Sequence, residues 1–155
     1  MRIILTFLII FSFRQDILSQ FSQDSTYSYQ ELNRILETAR ENKDQKTLAQ
    51  VYLKLADYEG DIFGDYRRAL EYYKWALEYF KVTGDSSRVY ETNFYLAQRY
   101  LQAGFVDESL TILLNLADVH SKSNNQIVLA NIYFEINKVY KRRGDYEMSL
   151  DYLEK

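Results

Sequence analysis

Four cations crowd one short stretch near the end of the chain: Lys138, Lys141, Arg142 and Arg143. Ammonium and guanidinium groups so placed could receive an acidic ligand group. They also stand where a helix is expected to end, and cations there complement the negative end of its macrodipole, so a purely structural reading stands beside the binding one. His120, the single histidine, also lies near a helix end, which points to a surface or capping role. The acidic pairs Asp107-Glu108 and Glu37 with Glu41 have the spacing of solvated helix faces, not of a catalytic pair. With no cysteine and one histidine, thiol nucleophiles, disulfides, cysteine-based zinc sites and multi-histidine metal sites are all excluded. The five glycines form no phosphate-cradling loop. The chemistry-bearing residues therefore lead away from an enzyme, and neither a cofactor nor a metal is expected.

Composition narrows the remaining classes. A chain of 155 residues with 47% apolar and 26% charged side chains suits one folded unit and lies far from the signature of disorder. Its formal net charge of -3 supplies no field to gather a polyanion, so nucleic acid is not an expected partner. The absence of proline permits long uninterrupted helices. The 15 tyrosines suggest bulky amphipathic packing between them.

The first residues read as an address. Arg2 precedes the apolar run Ile3 to Phe13, which Arg14, Gln15 and Asp16 close. A membrane span needs about 20 apolar residues, so this run has the length and flanks of a secretory signal core. The reading is a signal peptide over 1–22, cut after Ser19 or Ser22, and an exported, periplasmic or envelope protein. An uncleaved N-terminal membrane anchor is the alternative.

Beyond it, Gly64, Gly104 and Gly144 are spaced by 40 residues each, and their surroundings repeat with them. Small residues stand five positions on, at Ala69, Ser109 and Ser149, and large ones nine on, at Tyr73, Leu113 and Leu153. Those positions share a helix face, and the small residue lets a partner helix come close. Upstream of each glycine runs another stretch of helical apolar spacing. Each repeat is thus expected to be a helical hairpin with the glycine at its turn. Thr83-Gly84-Asp85 and Ser123-Asn124-Asn125 mark the turns between hairpins. Ahead of them Ser28 and Glu31 form a capping box before Leu32, Ile35, Leu36 and Ala39, a leading helix. Helices are predicted over 28–42, 45–62, 65–82, 86–103, 106–122, 126–143 and 146–155. The domain reading is a capping segment at 23–43 and repeats at 44–84, 85–124 and 125–155, the last cut short.

The pairs Leu96-Ala97 with Tyr100, Ile136-Asn137 with Tyr140, Gly144-Asp145-Tyr146 and Ala69 with Tyr73 resemble the tetratricopeptide repeat family in its extended, 40-residue form, as in bacterial sensor and regulator proteins. The resemblance covers 44–155. Leu55-Ala56 fits too, but one extra residue before Gly64 shifts the first repeat, and the family's closing proline is absent. The resemblance implies an all-α right-handed solenoid of about three hairpins whose first helices line a concave groove for a peptide or protein. In the second repeat the groove positions fall on Glu91, Phe94, Gln98, Leu101 and Gln102. In the third they fall on Asn131, Phe134, Lys138, Lys141 and Arg142. Phe94 and Phe134 either stack along one groove wall or lie buried between helices. The paired lysines and asparagines of chaperone-tail-binding members are not evident.

Tyr72, Trp75 and Tyr79 follow a helical line. Tyr79 is expected against the next hairpin, and Trp75, off the family's core positions, is a possible exposed contact. The last helix would leave Leu150 and Leu153 partly bare, since repeat arrays normally end on a polar cap. The functional expectation is an interaction scaffold, the sensory N-terminal part of an envelope signalling protein. The alternative is a structural module of a larger solenoid or homo-oligomer, self-associating through that C-terminal end.

Overall fold

The computed structural model describes residues 27–122 and 125–155. The signal peptide and its cleavage sites, residues 23–26 of the capping segment, and Ser123 and Asn124 of the second inter-repeat turn lie outside the described residues. Seven α-helices and no strand occur among the described residues: α1 Tyr29–Glu41, α2 Gln45–Asp57, α3 Tyr66–Thr83, α4 Ser86–Gln102, α5 Val106–Ser121, α6 Gln126–Arg143 and α7 Tyr146–Leu153. Each packs chiefly on its neighbours in sequence, as expected of hairpins joined by short turns.

Local chemistry starts and stops these helices where the sequence places the boundaries. The Ser28 hydroxyl accepts the Glu31 N–H at 3.3 Å while the Ser28 N–H donates to the Glu31 carboxylate at 2.8 Å, a closed capping box. The Ser28 contacts hold the Glu31 carboxyl below its ordinary value of 4.5. A depressed carboxylate contributes stability above that value and loses it as pH falls through the folded one. The amide protection factors of the first turn of α1 are therefore expected to fall in acid, and Glu31→Gln is expected to remove that loss of protection in an exchange measurement corrected for the intrinsic rate.

Asp44, Asp65, Asp85, Asn125 and Asp145 each cap the following helix by accepting a backbone N–H, which satisfies one of the four orphan donors at a helix start. Gly144 closes α6 in the left-handed region at φ 85°, and no atom lies within 4 Å of where a Cβ would sit. Space is thus no obstacle, and Gly144→Ala should cost only backbone strain of about 1–2 kcal/mol, read as a lowered midpoint in chemical denaturation.

The helix predicted over 45–62 is not uniform. It is α-helical to Asp57 and then makes a π-helical turn, Tyr58–Ile62, in which the Phe63 N–H reaches back to the Tyr58 carbonyl at 3.2 Å. Leu55 lies nine residues before Gly64, whereas Leu96 and Ile136 lie eight before Gly104 and Gly144. A π turn spends one more residue per turn than an α turn, so it absorbs the extra residue and returns the first repeat to phase. Accordingly Val51, Thr92 and Ile132, equivalent once the insertion is counted, are all 0% exposed.

Apolar faces of the helices close two cores. The first joins α1, α2 and α3 to Leu96 of α4. The second joins Ala97 and Leu101 of α4 to α5 and α6. Helix α4 is therefore the shared wall, with adjacent residues facing different cores.

Candidate functional site

Helix α6 carries the most continuous open face of any first helix. Ile127, Asn131, Phe134, Lys138 and Lys141 follow one another at steps of four and three, so they line a single side, and all are exposed. Ile132, Ile136 and Val139 face the opposite way and are fully buried. Phe134 stays 56% exposed, with the Lys138 ammonium 5.8 Å from its ring centre. The N-terminal half of this face carries Ile127 and Phe134 on either side of Asn131, and the C-terminal half is cationic. Arg142 is exposed beside it.

Forty residues earlier the corresponding face of α4 is more enclosed. Glu91 is partly buried and pairs with Arg88 at 3.0 Å. Phe94 is partly buried against the second core, with its ring 6.1 Å from Tyr90 and 6.4 Å from Tyr95. Gln98 is partly buried and Gln102 exposed. Leu101 departs from its expected groove place: it is only 8% exposed and belongs to the second core, with residues of α5 and α6. The two aromatics thus differ, Phe94 leaning into the core and Phe134 standing open.

One residue absent from the predicted set joins these two faces. Glu135 is buried, with its side chain 8% exposed. It accepts from Gln98 at 2.9 Å and pairs with Lys138 at 2.8 Å. A buried carboxylate is tolerated when both a cation and a hydrogen-bond donor meet it, and here they come from two successive first helices. The signal in sequence is an acidic residue flanked by Phe134 and Ile136 in a buried helical phase.

The π turn builds a second polar junction. Asp57 accepts a short hydrogen bond from the Tyr73 hydroxyl. Arg99 of α4 grips Asp61 through two nitrogens at 2.7 and 2.8 Å, the bidentate geometry that fits a guanidinium to a carboxylate. A Cβ on Gly60 would sit 3.3 Å from the Arg99 side chain, so the missing side chain leaves the arginine its berth. Burial pushes the Asp57 carboxyl above its usual range, against the lowering pull of Tyr73 and Arg99. Beside it the buried Glu59 accepts from the Tyr29 hydroxyl at 2.6 Å and pairs with Arg68 at 3.2 Å.

Trp75 is 45% exposed and abuts Tyr52 and Tyr72, with ring centres at 5.2 and 5.5 Å. Tyr79 stacks on Tyr52 of its own hairpin at 5.8 Å and 15°, because Tyr52 is long enough to fill the space between α2 and α3. The rings form one cluster, with the Arg40 guanidinium donating to the Tyr52 hydroxyl at 2.9 Å.

The cation cluster is divided in its contacts. Lys138 is held by Glu135, and Arg143 lies 3.5 Å from Asp107. Among the described residues Lys141 and Arg142 make no ion pair, and both sit in the last turn of α6, where the helix dipole favours them. His120 ends α5 with its ring 4.5 Å from that of Tyr90. Among the described residues, no helix is long and apolar enough to cross a membrane.

No family model matches this chain, and no curated protein matches it at a significant level.

Proposed function

We propose that the chain is a tetratricopeptide-type solenoid whose first helices, α2, α4 and α6, line a concave groove that holds a protein or peptide. The observation that carries this reading is the open face of α6: a half-exposed phenylalanine followed by cations, braced through Glu135 to Gln98 of the preceding first helix. A braced face binds with less ordering cost than a loose one. Phe134 offers an apolar anchor, and Lys141 with Arg142 offers charge to an acidic group on the partner. The apolar run at Ile3 to Phe13 supports export. The protein is then an interaction module of the cell envelope, the sensory part of a signalling protein. No residue is assigned to catalysis.

A pull-down from envelope extract tests the groove. Wild type is expected to retain a protein that Phe134→Ala loses, with Phe94→Ala, Phe134→Ala losing it completely. Because Phe94 also packs in the core, helicity by circular dichroism must match wild type for each variant. Equal capture by wild type and Phe134→Ala would remove the groove from the account.

A further inference from the structure

The turns inside the three hairpins share one edge of the helical stack with the start of α1. Helices joined by such short turns alternate in direction, so the turns after α2, α4 and α6 emerge on the same side. Contacts tie them together: Arg99 near the end of α4 holds Asp61 of the π turn, and Arg143 at the end of α6 lies 3.5 Å from Asp107 at the start of α5. Tyr27 enters beside the first of these turns. Its carbonyl accepts the Tyr58 hydroxyl at 2.7 Å, and the ring of Tyr29 lies 5.2 Å from that of Phe63.

Large apolar side chains stand open along this edge. They are Ile62, Phe63 and Tyr66 at the first turn, Phe105 at the second and Tyr146 at the third, each between 37% and 68% exposed. Turns favour small and polar residues, and the opposite edge keeps to that with Asn42-Lys43-Asp44 and Thr83-Gly84-Asp85. Near those turns the exposed large residues are the aliphatics Val82, Val119 and Ile127, with no exposed Phe, Tyr or Trp among the described residues.

Aromatic rings exposed in a row suit the headgroup layer of a membrane, where one end of the ring is apolar and the other wet. The sequence brings a bilayer to this edge and not to the other. Only residues 14–26 separate the apolar run Ile3 to Phe13 from Tyr27, a reach of at most about 50 Å fully extended. Export carries the chain to a bilayer through that run, and retention of the run would hold this edge beside it. Charges of both signs flank the rings, with Arg67, Arg68 and Arg143 among Asp107, Glu108 and Glu147. No single-sign field therefore favours anionic headgroups, and the grip falls to the rings. We propose that this edge rests on a lipid bilayer, with Phe63, Tyr66, Phe105 and Tyr146 entering the headgroup layer. The contact does not depend on the groove reading, since Phe134 lies in the middle of α6.

The chain lacks cysteine, so single thiols can report position in the full chain. Arg67→Cys and Glu108→Cys mark this edge, Ser87→Cys and Gln126→Cys the opposite one, and all four replace exposed side chains. Each is labelled with an environment-sensitive fluorophore and mixed with phosphatidylcholine vesicles whose acyl chains are brominated. The labels at 67 and 108 are expected to shift to shorter wavelength and to be quenched by the bromine, while those at 87 and 126 keep their aqueous spectra. Raised salt should leave the quenching in place. Phe63→Ser, Phe105→Ser, Tyr146→Ser, added to the Glu108→Cys chain, should abolish it with unchanged helicity. The proposal is overturned if either label at this edge escapes quenching, if the opposite labels are quenched as strongly, or if quenching survives loss of the rings. A spectral shift at 67 and 108 without quenching also overturns it, and would assign the edge to a protein cover, residues 14–26 of the chain included.

Discussion

Replacing Tyr73 by alanine is expected to cost about 3–5 kcal/mol of folding stability, the range for emptying a buried aromatic site. Tyr73 is fully buried in α3 and belongs to the first core. Its hydroxyl donates to Asp57 at the end of α2, and Arg99 of α4 interacts with it from the other side. Three helices thus meet on one side chain. Tyr73→Phe separates the two contributions. The ring remains, and the loss is the donor to a largely buried carboxylate, about 1–3 kcal/mol. That smaller loss should depend on pH with a defined sign. Asp57 titrates above its ordinary value of 3.8 because it is buried, and Tyr73 pulls it back down. A carboxyl raised in the folded state favours folding below its ordinary value, and that advantage fades as pH rises through the folded one. Without the Tyr73 donor the ionised form costs more, so the Tyr73→Phe penalty should be greatest near neutrality and shrink in acid. Urea denaturation of both variants across that span measures it; a pH-independent penalty would mean that the hydroxyl does not stabilise the Asp57 carboxylate.

Spacing carried most of the secondary structure. The glycines at 64, 104 and 144 and the turn at Thr83-Gly84-Asp85 are local signals, and local chemistry decides where a helix starts and stops, so the observed ends fall within a few residues of those expected. The extra residue before Gly64 was also legible, as a count. That count does not say how the chain takes up an insertion, because a loop, a kink and a π turn all accommodate one residue. The choice follows from what the turn gains: berths for Arg99 and Arg68 and a donor from Tyr29. Those contacts span up to 38 residues, and helical periodicity holds no information at that range. The same limit separates Leu101 from Lys141. They occupy one repeat position, yet Leu101 joins the second core and Lys141 is exposed. The stack of Tyr79 on Tyr52 was not legible for a related reason: a helical line names the face, but the size of the residue opposite decides the ring contact. Within the candidate site, helical spacing left Phe134 between a groove wall and the core and made Trp75 a candidate exposed contact; both side chains are exposed. Glu135, which braces the site, was missed because an acidic residue usually reads as solvated surface.

Arg99→Ala is expected to give the largest loss among the charged side chains, about 1–3 kcal/mol, the range for hydrogen bonds made by a charged group, here a guanidinium that is itself mostly buried. Most of the ion pairs here lie between exposed side chains three or four residues apart, such as Lys81 with Glu78 and Lys122 with Asp118, and such pairs contribute about 0–1 kcal/mol. Arg99 differs in burial and in reach. Its side chain is 13% exposed and holds Asp61, 38 residues away, through two nitrogens. Its charge also lowers the burial-raised Asp57. Removing it takes the cation away from two carboxylates at once and vacates the space that Gly60 leaves open. Asp61 is half-exposed and water can resolvate it, which keeps the loss below that of a wholly buried pair. Asp57 bears the rest, so the effect should persist in high salt, where surface pairs are screened. A double-mutant cycle with Asp61→Ala isolates the direct pair. A coupling energy smaller than the full Arg99→Ala loss is expected, the remainder belonging to Asp57, Tyr73 and the Gln102 amide that Arg99 also meets. Since the contact joins α4 to the π turn, it fixes the first hairpin on the second much as Glu135 fixes the second on the third. An Arg99→Ala loss equal to that of Lys122→Ala would reduce this junction to another surface pair.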